Sequence, residues 1–259
     1  VAAAIRGSRA MPERPALLSF DRAYKSFISN VLPILEQYES PAVLAVSTGW
    51  IGEQATSGLE AELMNWDDIK RADQHPLVNV ASMGDRLATR VITNPQGRMG
   101  LATTSRAYDP DTGKYETPKQ YRDRITAEFT TARMTMEKNT GIILDMVVWP
   151  EGAYNPAAVE IATSLDYYLM FGLADGLSPL PGSDRVILRS QAKNAKSLAA
   201  FSKMLYRRAH SSIQIADRSQ GLFLDLDQIA STNRESMRAG ITALVEYVKT
   251  FSPVFELPA

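Results

Sequence analysis

Short apolar runs alternate along the chain with segments of helical periodicity. The runs at 16–20, 42–46 and 77–80 are typical of buried strands. The run at 142–148 is apolar almost without interruption, which is the pattern of a strand covered on both faces. Three later runs, at 166–171, 186–188 and 222–226, complete the strands that this pattern predicts.

Apolar residues between these strands recur at the three- and four-residue spacing of amphipathic helices. One such stripe consists of Phe27, Val31, Ile34, Leu35 and Tyr38. Residue 33 is a proline that is expected to kink this helix or to lie in its first turn. A short helix is predicted over 66–70 and a long one over 119–138. Turn signals predict a loop from 92 to 118, a length that is usually functional or mobile in a compact domain.

The alternation of strands and helices predicts an α/β architecture with a parallel sheet, and the number of strands suits a barrel. A domain boundary is predicted after residue 220. Residues 1–220 would form the main domain, and residues 221–259 a β-α-β unit whose helix begins at a capping box of Thr232 and Glu235. Because one such unit lacks the partners that it normally needs, the chain is expected to stop inside a second domain.

Composition excludes several classes of function. The 259 residues carry 28 Lys and Arg against 29 Asp and Glu, so a net charge of −1 gives no electrostatic basis for binding nucleic acid. The sequence has no cysteine, which excludes disulfides, thiolate metal sites and a cysteine nucleophile. No apolar stretch has the length of a transmembrane span. The chain begins at Val1 without a methionine, so a leader is expected to have been removed or the chain to begin inside a longer protein.

Residue identities add a family resemblance. The segment 17–27, with Ser19-Phe20-Asp21-Arg22-Ala23 at its centre, resembles the first signature of NodB-type polysaccharide deacetylases, which reads T-F-D-D-(G/A). Segments 30–35, 47–52, 65–69, 75–82, 114–117 and 148–155 resemble the branch that de-N-acetylates poly-β-1,6-N-acetylglucosamine during biofilm export. The resemblance implies a distorted (β/α) barrel of the NodB deacetylase type. Residues 224–227 resemble the start of the glycosidase-like barrel that follows the deacetylase domain in that branch.

The resemblance also implies the chemistry of the site. In the family, a divalent metal polarises the acetamide carbonyl and activates a water, while the first Asp of the signature is the general base. The family's metal ligands are the second Asp and two His, and these positions are Arg22, Met83 and Ala88 here. A guanidinium and a methyl group cannot bind a cation, and a thioether suits copper(I) rather than zinc, nickel or iron(II). No cofactor is therefore expected in this chain, although the family uses a divalent metal.

Asp21 is the catalytic candidate, at a degenerate general-base position. Arg22 or Arg86 is expected to place a guanidinium near its carboxylate, and a purely structural ion pair is the competing interpretation. By resemblance, the residues expected to bind substrate are Tyr24, Trp149, Pro150 and Tyr154. Aromatic rings offer a flat apolar partner to the C–H faces of sugars, and two of these rings follow a strand end, where barrels place their sites.

Other polar residues have structural interpretations. His75 and His210 are the only histidines, and each is expected in a structural or solvated position. Glu151 replaces the Tyr of the family's third signature, and Glu151 with Asp21 could be proposed as the carboxylate pair of a glycosidase.

Two functions from different classes remain open. The first is a catalytically degenerate deacetylase-fold protein that binds a polysaccharide of N-acetylglucosamine type, or proteins of an export machinery. The second is an active de-N-acetylase whose metal is held by other residues, for example Asp85 and Glu151. Engineered changes in an active parent would give the same sequence. By resemblance, the parent protein is expected in the periplasm or cell envelope.

Overall fold

The protein is described by a computed structural model over residues 16–52, 62–173, 178–179, 186–192 and 220–225, together with Lys203, Arg238 and Thr242. Its centre is a parallel sheet whose strands follow one another around a ring. The parallel strands are β1 (Ala16–Phe20), β2 (Ala42–Val46), β3 (Val78–Ser82), β8 (Met146–Val148), β9 (Leu169–Leu173), β11 (Val186–Gln191) and β12 (Gln220–Asp225). They are neighbours in that order, and β12 also pairs with β1, which closes the ring. A short strand, β10 (Ser178–Pro179), pairs antiparallel with β12. The expected distorted (β/α) barrel is therefore confirmed.

Alternate residues of these strands form two separate apolar cores, because successive side chains of a strand point to opposite faces. The outer core joins strand residues such as Leu18, Leu44 and Val147 to residues of the surrounding helices. The inner core fills the ring itself and consists of Leu17, Val43, Ala45, Ala81, Met83, Met146, Val148, Leu169, Phe171 and Ile187. Among the described residues, the side chains that point into the ring thus pack against one another as an apolar core.

Within the described ranges up to residue 192, four α-helices cover the outside of the ring. They are α1 (Leu32–Gln37), α2 (Trp66–Asp73), α3 (Pro118–Thr140) and α4 (Pro156–Ser164), and a π-helical turn (Phe27–Val31) leads into α1. A proline lies in the first turn of α1, as the sequence predicts. The longest helix, α3, begins at a capping box of Thr117 and Gln120 and ends at Gly141, which has a φ of +79° that favours glycine. Its predicted apolar face, residues 121, 125, 129, 132 and 136, is buried.

The segment expected to be a loop between 92 and 118 contains two antiparallel hairpins. The first pairs β4 (Arg90–Ile92) with β5 (Met99–Leu101), and the second pairs β6 (Tyr108–Asp109) with β7 (Lys114–Tyr115). The turn signals in this segment are thus hairpin turns rather than signs of an irregular loop. Both hairpins lie between the carboxyl end of β3 and the amino end of α3, so they stand on one rim of the ring.

Strand β8 is shorter than the predicted run 142–148, although most of that run is apolar. The side chain of Ile143 is 70% exposed, and the Leu144 carbonyl accepts a hydrogen bond from the Arg133 guanidinium at 3.0 Å. The Leu144 carbonyl is therefore satisfied by a helix side chain, whereas the Asp145 carbonyl accepts a hydrogen bond from the backbone N–H of Tyr168 at 2.8 Å, just before β9. Helix α4 was not predicted from the sequence.

The strand after residue 219 belongs to the ring. Strand β12 pairs with β1 and with β11, so the sheet extends to Asp225, five residues beyond the boundary expected after residue 220. The predicted helix that begins near Thr232 lies outside the described residues, apart from Thr242, whose hydroxyl is 2.9 Å from that of Tyr38. No helix in the described ranges has the length and apolar character needed to cross a membrane.

Candidate functional site

The carboxyl ends of the parallel strands meet at one rim of the ring, which we call the cleft rim. Asp21 follows β1, Ser47 follows β2, Met83 follows β3 and Trp149 follows β8, and these four strands are neighbours in the sheet. Active sites of α/β barrels lie at this end, because the loops that follow the strands converge there. The sheet thus brings Asp21, Met83 and Trp149 to the same end of the barrel.

The cleft rim contains a buried ion pair between Asp21 and Arg189. Nη1 of Arg189 lies 2.8 Å from Oδ1 of Asp21, and Nη2 lies 3.3 Å from Oδ2. Nη1 also donates to the hydroxyl of Ser19 at 2.7 Å. The two charged residues are only 1% and 8% exposed, for Arg189 and Asp21 respectively. Each charge is thus removed from water and balanced by the other, in a two-pronged geometry that suits a guanidinium and a carboxylate.

The two-pronged contact to Asp21 comes from Arg189, which the sequence did not single out. That Arg22 or Arg86 also places a guanidinium near Asp21 stays a prediction. The backbone N–H of Arg86 donates to Glu128, and the Arg86 side chain is exposed. Arg22 has a φ of +69°, in the left-handed region, and the next residue has a φ of +50°. Residues keep this sparsely populated backbone conformation only where the surrounding structure holds them in it. Such residues cluster at functional sites.

Arg189 could have been identified from the alternation of its strand. Ile187 belongs to the inner core, so the side chain two positions later also points into the ring. The predicted strand ended at residue 188, three positions before the observed end at Gln191, and so left out the charged residue at the next core-facing position. A charge at such a position is the signal that would have identified it, because buried charges need a partner.

Met83 and Ala88 frame the loop after β3. Met83 is buried in the inner core, where its thioether fills space beneath the rim. Within the loop, the carboxylate of Asp85 accepts a hydrogen bond from the hydroxyl of Thr48 at 2.7 Å. This contact ties the loop after β3 to the turn after β2.

Glu128 of α3 holds the same loop from the other side. Its Oε2 accepts a hydrogen bond from the backbone N–H of Arg86 at 2.7 Å. Burial raises the pKa of the Glu128 carboxyl, the hydrogen bond from Arg86 opposes this, and the negative charge of Asp85 adds to the increase. Glu128 is thus a half-buried acceptor that positions the loop backbone.

The expected role of Trp149 needs correction. Its ring is fully buried, packs edge-on against Phe129 at 5.7 Å between centroids, and stacks on Tyr154 at 5.9 Å. A ring with no exposed surface cannot present a face to a sugar, so Trp149 supports the cleft from beneath. Tyr154 is 38% exposed and covers Gly172, where a Cβ atom would lie 2.8 Å from the tyrosine ring. Of these two aromatic candidates, Tyr154 is the one whose ring reaches solvent.

The other two substrate-binding candidates differ in exposure. Pro150 is buried at the start of a 3-10 turn (Pro150–Gly152). Tyr24 is half-buried and forms an isolated antiparallel bridge with Leu63. Whether either contacts a ligand stays a prediction.

Glu151 is tied to the first hairpin. Both of its carboxylate oxygens accept hydrogen bonds from Nη2 of Arg90, at 2.8 and 3.0 Å, and both side chains are about half exposed (49% each). Glu151 also has a left-handed backbone, with a φ of +52°. The ion pair therefore connects β4 with the turn after β8 across the cleft rim.

The described histidine has a structural position. Nε2 of His75 lies 3.1 Å from the carboxylate of Glu36, and Nδ1 accepts a hydrogen bond from the backbone N–H of Leu77. His210 lies outside the described residues. Throughout the part of the chain that is described, no three His, Asp or Glu side chains lie close enough together to hold a metal ion. Asp85 and Glu151, suggested above as alternative ligands, have Thr48 and Arg90 as partners.

Comparison with known proteins adds a family and several relatives. The family model for polysaccharide deacetylases matches residues 8–170. A curated relative is the poly-β-1,6-N-acetyl-D-glucosamine N-deacetylase of Escherichia coli K12, which is 28% identical over 255 residues. The match covers 94% of this chain but 37% of that protein, so the chain spans little more than a third of the relative's length.

Two solved structures have a similar fold and appreciable sequence identity. The BpsB deacetylase domain from Bordetella bronchiseptica is 31% identical, with a TM-score of 0.68 over 73% of this chain and 75% of that one. A de-N-acetylase from Aggregatibacter actinomycetemcomitans is 26% identical, with a TM-score of 0.65 over 73% of this chain and 74% of that one.

Proposed function

This chain belongs to the polysaccharide deacetylase family, and on that premise we propose that it binds a poly-N-acetylglucosamine-type glycan without hydrolysing it. The site would serve exopolysaccharide metabolism or export, in the periplasm or cell envelope, with proteins of the export machinery as further partners. The named relatives act on such polymers or belong to the same family, which supports the choice of glycan.

The observation that carries the proposal is the buried pair of Asp21 and Arg189. The family's divalent metal would require an anionic or imidazole ligand set around the first signature. Here the carboxylate of Asp21 is neutralised by a guanidinium that cannot lose its proton at any accessible pH. A second, divalent cation placed beside that fixed positive charge would be repelled in a site with little water to screen it. The residues around Asp21 therefore do not fit the metal, and we derive no hydrolytic step through it.

The residues at the expected ligand positions support the same conclusion. Met83 is packed into the inner core, and Ala88 has no donor atom. Both carboxylate oxygens of Glu151, one of the two alternative ligands, accept hydrogen bonds from Arg90. An active enzyme that uses Asp85 and Glu151 would have to break this pair and the contact with Thr48.

The experiment measures hydrolysis and binding separately. The protein is incubated with β-1,6-linked N-acetylglucosamine oligomers in the presence of zinc, nickel or cobalt, and released acetate is quantified beside an active family member. Calorimetry then measures metal binding and oligomer binding by the unmodified protein. The proposal expects oligomer binding without acetate release and without micromolar metal binding. Acetate release at a rate near that of the active relative, abolished by a chelator, would establish the alternative of an active de-N-acetylase.

A further inference from the structure

The second hairpin carries an exposed pair of aromatic rings. Tyr108 and Tyr115 are cross-strand partners, and their ring centroids lie 5.0 Å apart with the planes tilted by 60°. Directly opposed residues of an antiparallel pair project from the same face. Tyr115 is 48% exposed and Tyr108 is half-buried, so the pair forms a small apolar surface open to solvent.

This hairpin is held more firmly than its two-residue strands would require. At its base, Glu116 accepts hydrogen bonds from Nε and Nη2 of Arg124 at 2.8 and 2.9 Å, and from the backbone N–H of Ala107 at 3.0 Å. At its tip, the carboxylate of Asp109 accepts from the N–H of Asp111 and from the hydroxyl of Thr112. The tyrosine pair is thus fixed at both ends, and a fixed surface loses little conformational entropy when a ligand binds.

The hairpin stands on the same rim as the cleft. The loop after β3 leads into β4, β4 contacts β6, and Arg90 at the start of β4 is paired with Glu151 at the cleft. A polymer seated in the cleft can therefore continue over β4 towards the tyrosine pair. Two rings are also too small a surface for a specific protein interface, which needs roughly 1,000 Å² or more in total.

We propose that Tyr108 and Tyr115 form an accessory subsite that binds sugar rings of the same N-acetylglucosamine polymer beyond the cleft. The inference rests on the proposed function, because it assigns a second contact to the same glycan. The C–H faces of β-linked hexosamines are apolar and fit flat aromatic rings. Because the tyrosine hydroxyls are neutral, the pair does not need a charged ligand. The subsite would make affinity depend on oligomer length.

The test compares short and long oligomers by calorimetry. Binding of β-1,6-linked N-acetylglucosamine dimer and hexamer is measured for the unmodified protein and for Tyr115→Ala, Tyr108→Ala and Tyr115→Phe. Tyr168→Ala is the matched control, since Tyr168 is 41% exposed but precedes β9, at the opposite end of the ring. We expect each alanine variant of the pair to weaken hexamer binding about three- to tenfold, with dimer binding unchanged. Tyr115→Phe should bind the hexamer as the unmodified protein does.

The outcomes separate the two proposals. If the unmodified protein binds no hexamer, the proposed function fails and the subsite with it. If the hexamer binds but Tyr115→Ala and Tyr168→Ala bind it equally well, the subsite alone is overturned. Thermal unfolding of each variant checks folding, and amide chemical shifts of 106–116 in the unmodified protein provide a second measurement. Shifts on adding hexamer but not dimer support the subsite, whereas no shift with a bound hexamer refutes it.

Discussion

Arg189 and Asp21 are separated by 168 positions in the sequence and meet inside the ring, with Nη1 2.8 Å from Oδ1. Strand β12 lies between their strands, so the guanidinium reaches past one strand to the carboxylate. The contact joins the first signature of the family to a strand that the family model, which ends at residue 170, does not include.

Breaking the pair should cost much stability, because the remaining buried charge would lose its partner. Arg189→Met leaves the Asp21 carboxylate without its partner and is expected to lower the free energy of unfolding by about 3–5 kcal/mol. Urea denaturation measures this, with the exposed Arg98→Met as a control expected to change it by about 0.5 kcal/mol or less. Replacing both partners, Asp21→Leu with Arg189→Met, should cost less than Arg189→Met alone. A loss below about 1 kcal/mol for Arg189→Met would contradict the burial that we describe.

Restoring a metal site should require removal of Arg189. The triple variant Arg22→Asp, Met83→His, Ala88→His recreates the family's ligands but leaves the guanidinium on Asp21. We expect it to bind zinc weakly, and the quadruple variant with Arg189→Ala to bind zinc more tightly, as measured by calorimetry. Equal zinc affinity of the triple and quadruple variants would show that the guanidinium does not control the site.

Glu128 should make the protein less stable as the pH rises. Its pKa in the folded state is raised, chiefly by burial, so folding favours the protonated form. The stability that this provides is present below the ordinary pKa of glutamate and is lost as the pH rises through the folded-state value. Glu128→Gln keeps an acceptor for the Arg86 N–H and removes the titration. The unfolding free energy of Glu128→Gln, relative to that of the unmodified protein, should therefore increase from about pH 4.5 to neutrality. If the difference in unfolding free energy between the two proteins is the same across that pH range, the raised pKa of Glu128 does not affect stability.

Glu116 should behave in the opposite way. Burial alone would raise its pKa, but hydrogen bonds from Arg124 and from the Ala107 N–H outweigh it and lower the pKa. The stability contributed by the carboxylate is therefore present above the ordinary glutamate pKa and is lost as the pH falls through the folded-state value. Glu116→Gln is expected to be less stable than the unmodified protein at pH 7, with the difference shrinking below about pH 4.5. Thermal unfolding at several pH values measures this, and a difference independent of pH would refute it.

The pattern of apolar residues predicted strands and helices well where the burial of an element fixes its place in the fold. Strand β2 was predicted at its observed bounds, 42–46, because five buried residues in a row follow a proline turn. The apolar face of α3 was predicted in the same way. The fold around these elements followed from strand–helix alternation and from the family resemblance.

The site was harder to predict, because its contacts are made between distant parts of the chain. Nothing near Asp21 in sequence indicates that its partner lies on β11. The stacking of Trp149 beneath Tyr154 depends equally on Phe129 of α3, which only the folded chain brings to it. An aromatic residue at a strand end is a good candidate for ligand binding, but its burial is set by neighbours that periodicity does not reveal.

Closure of the ring by β12 has a consequence for biosynthesis. Ala16 of β1 pairs with Leu222 of β12, so one edge of the first strand has its partner only after about 200 further residues have been synthesised. Pairing over such a separation is slow, because the entropy of closing the loop is lost before the contact forms. Until then β1 and β11 expose unpaired edges, which are templates for association with other chains. A chain that stops before residue 220 would keep those edges permanently and should aggregate on expression.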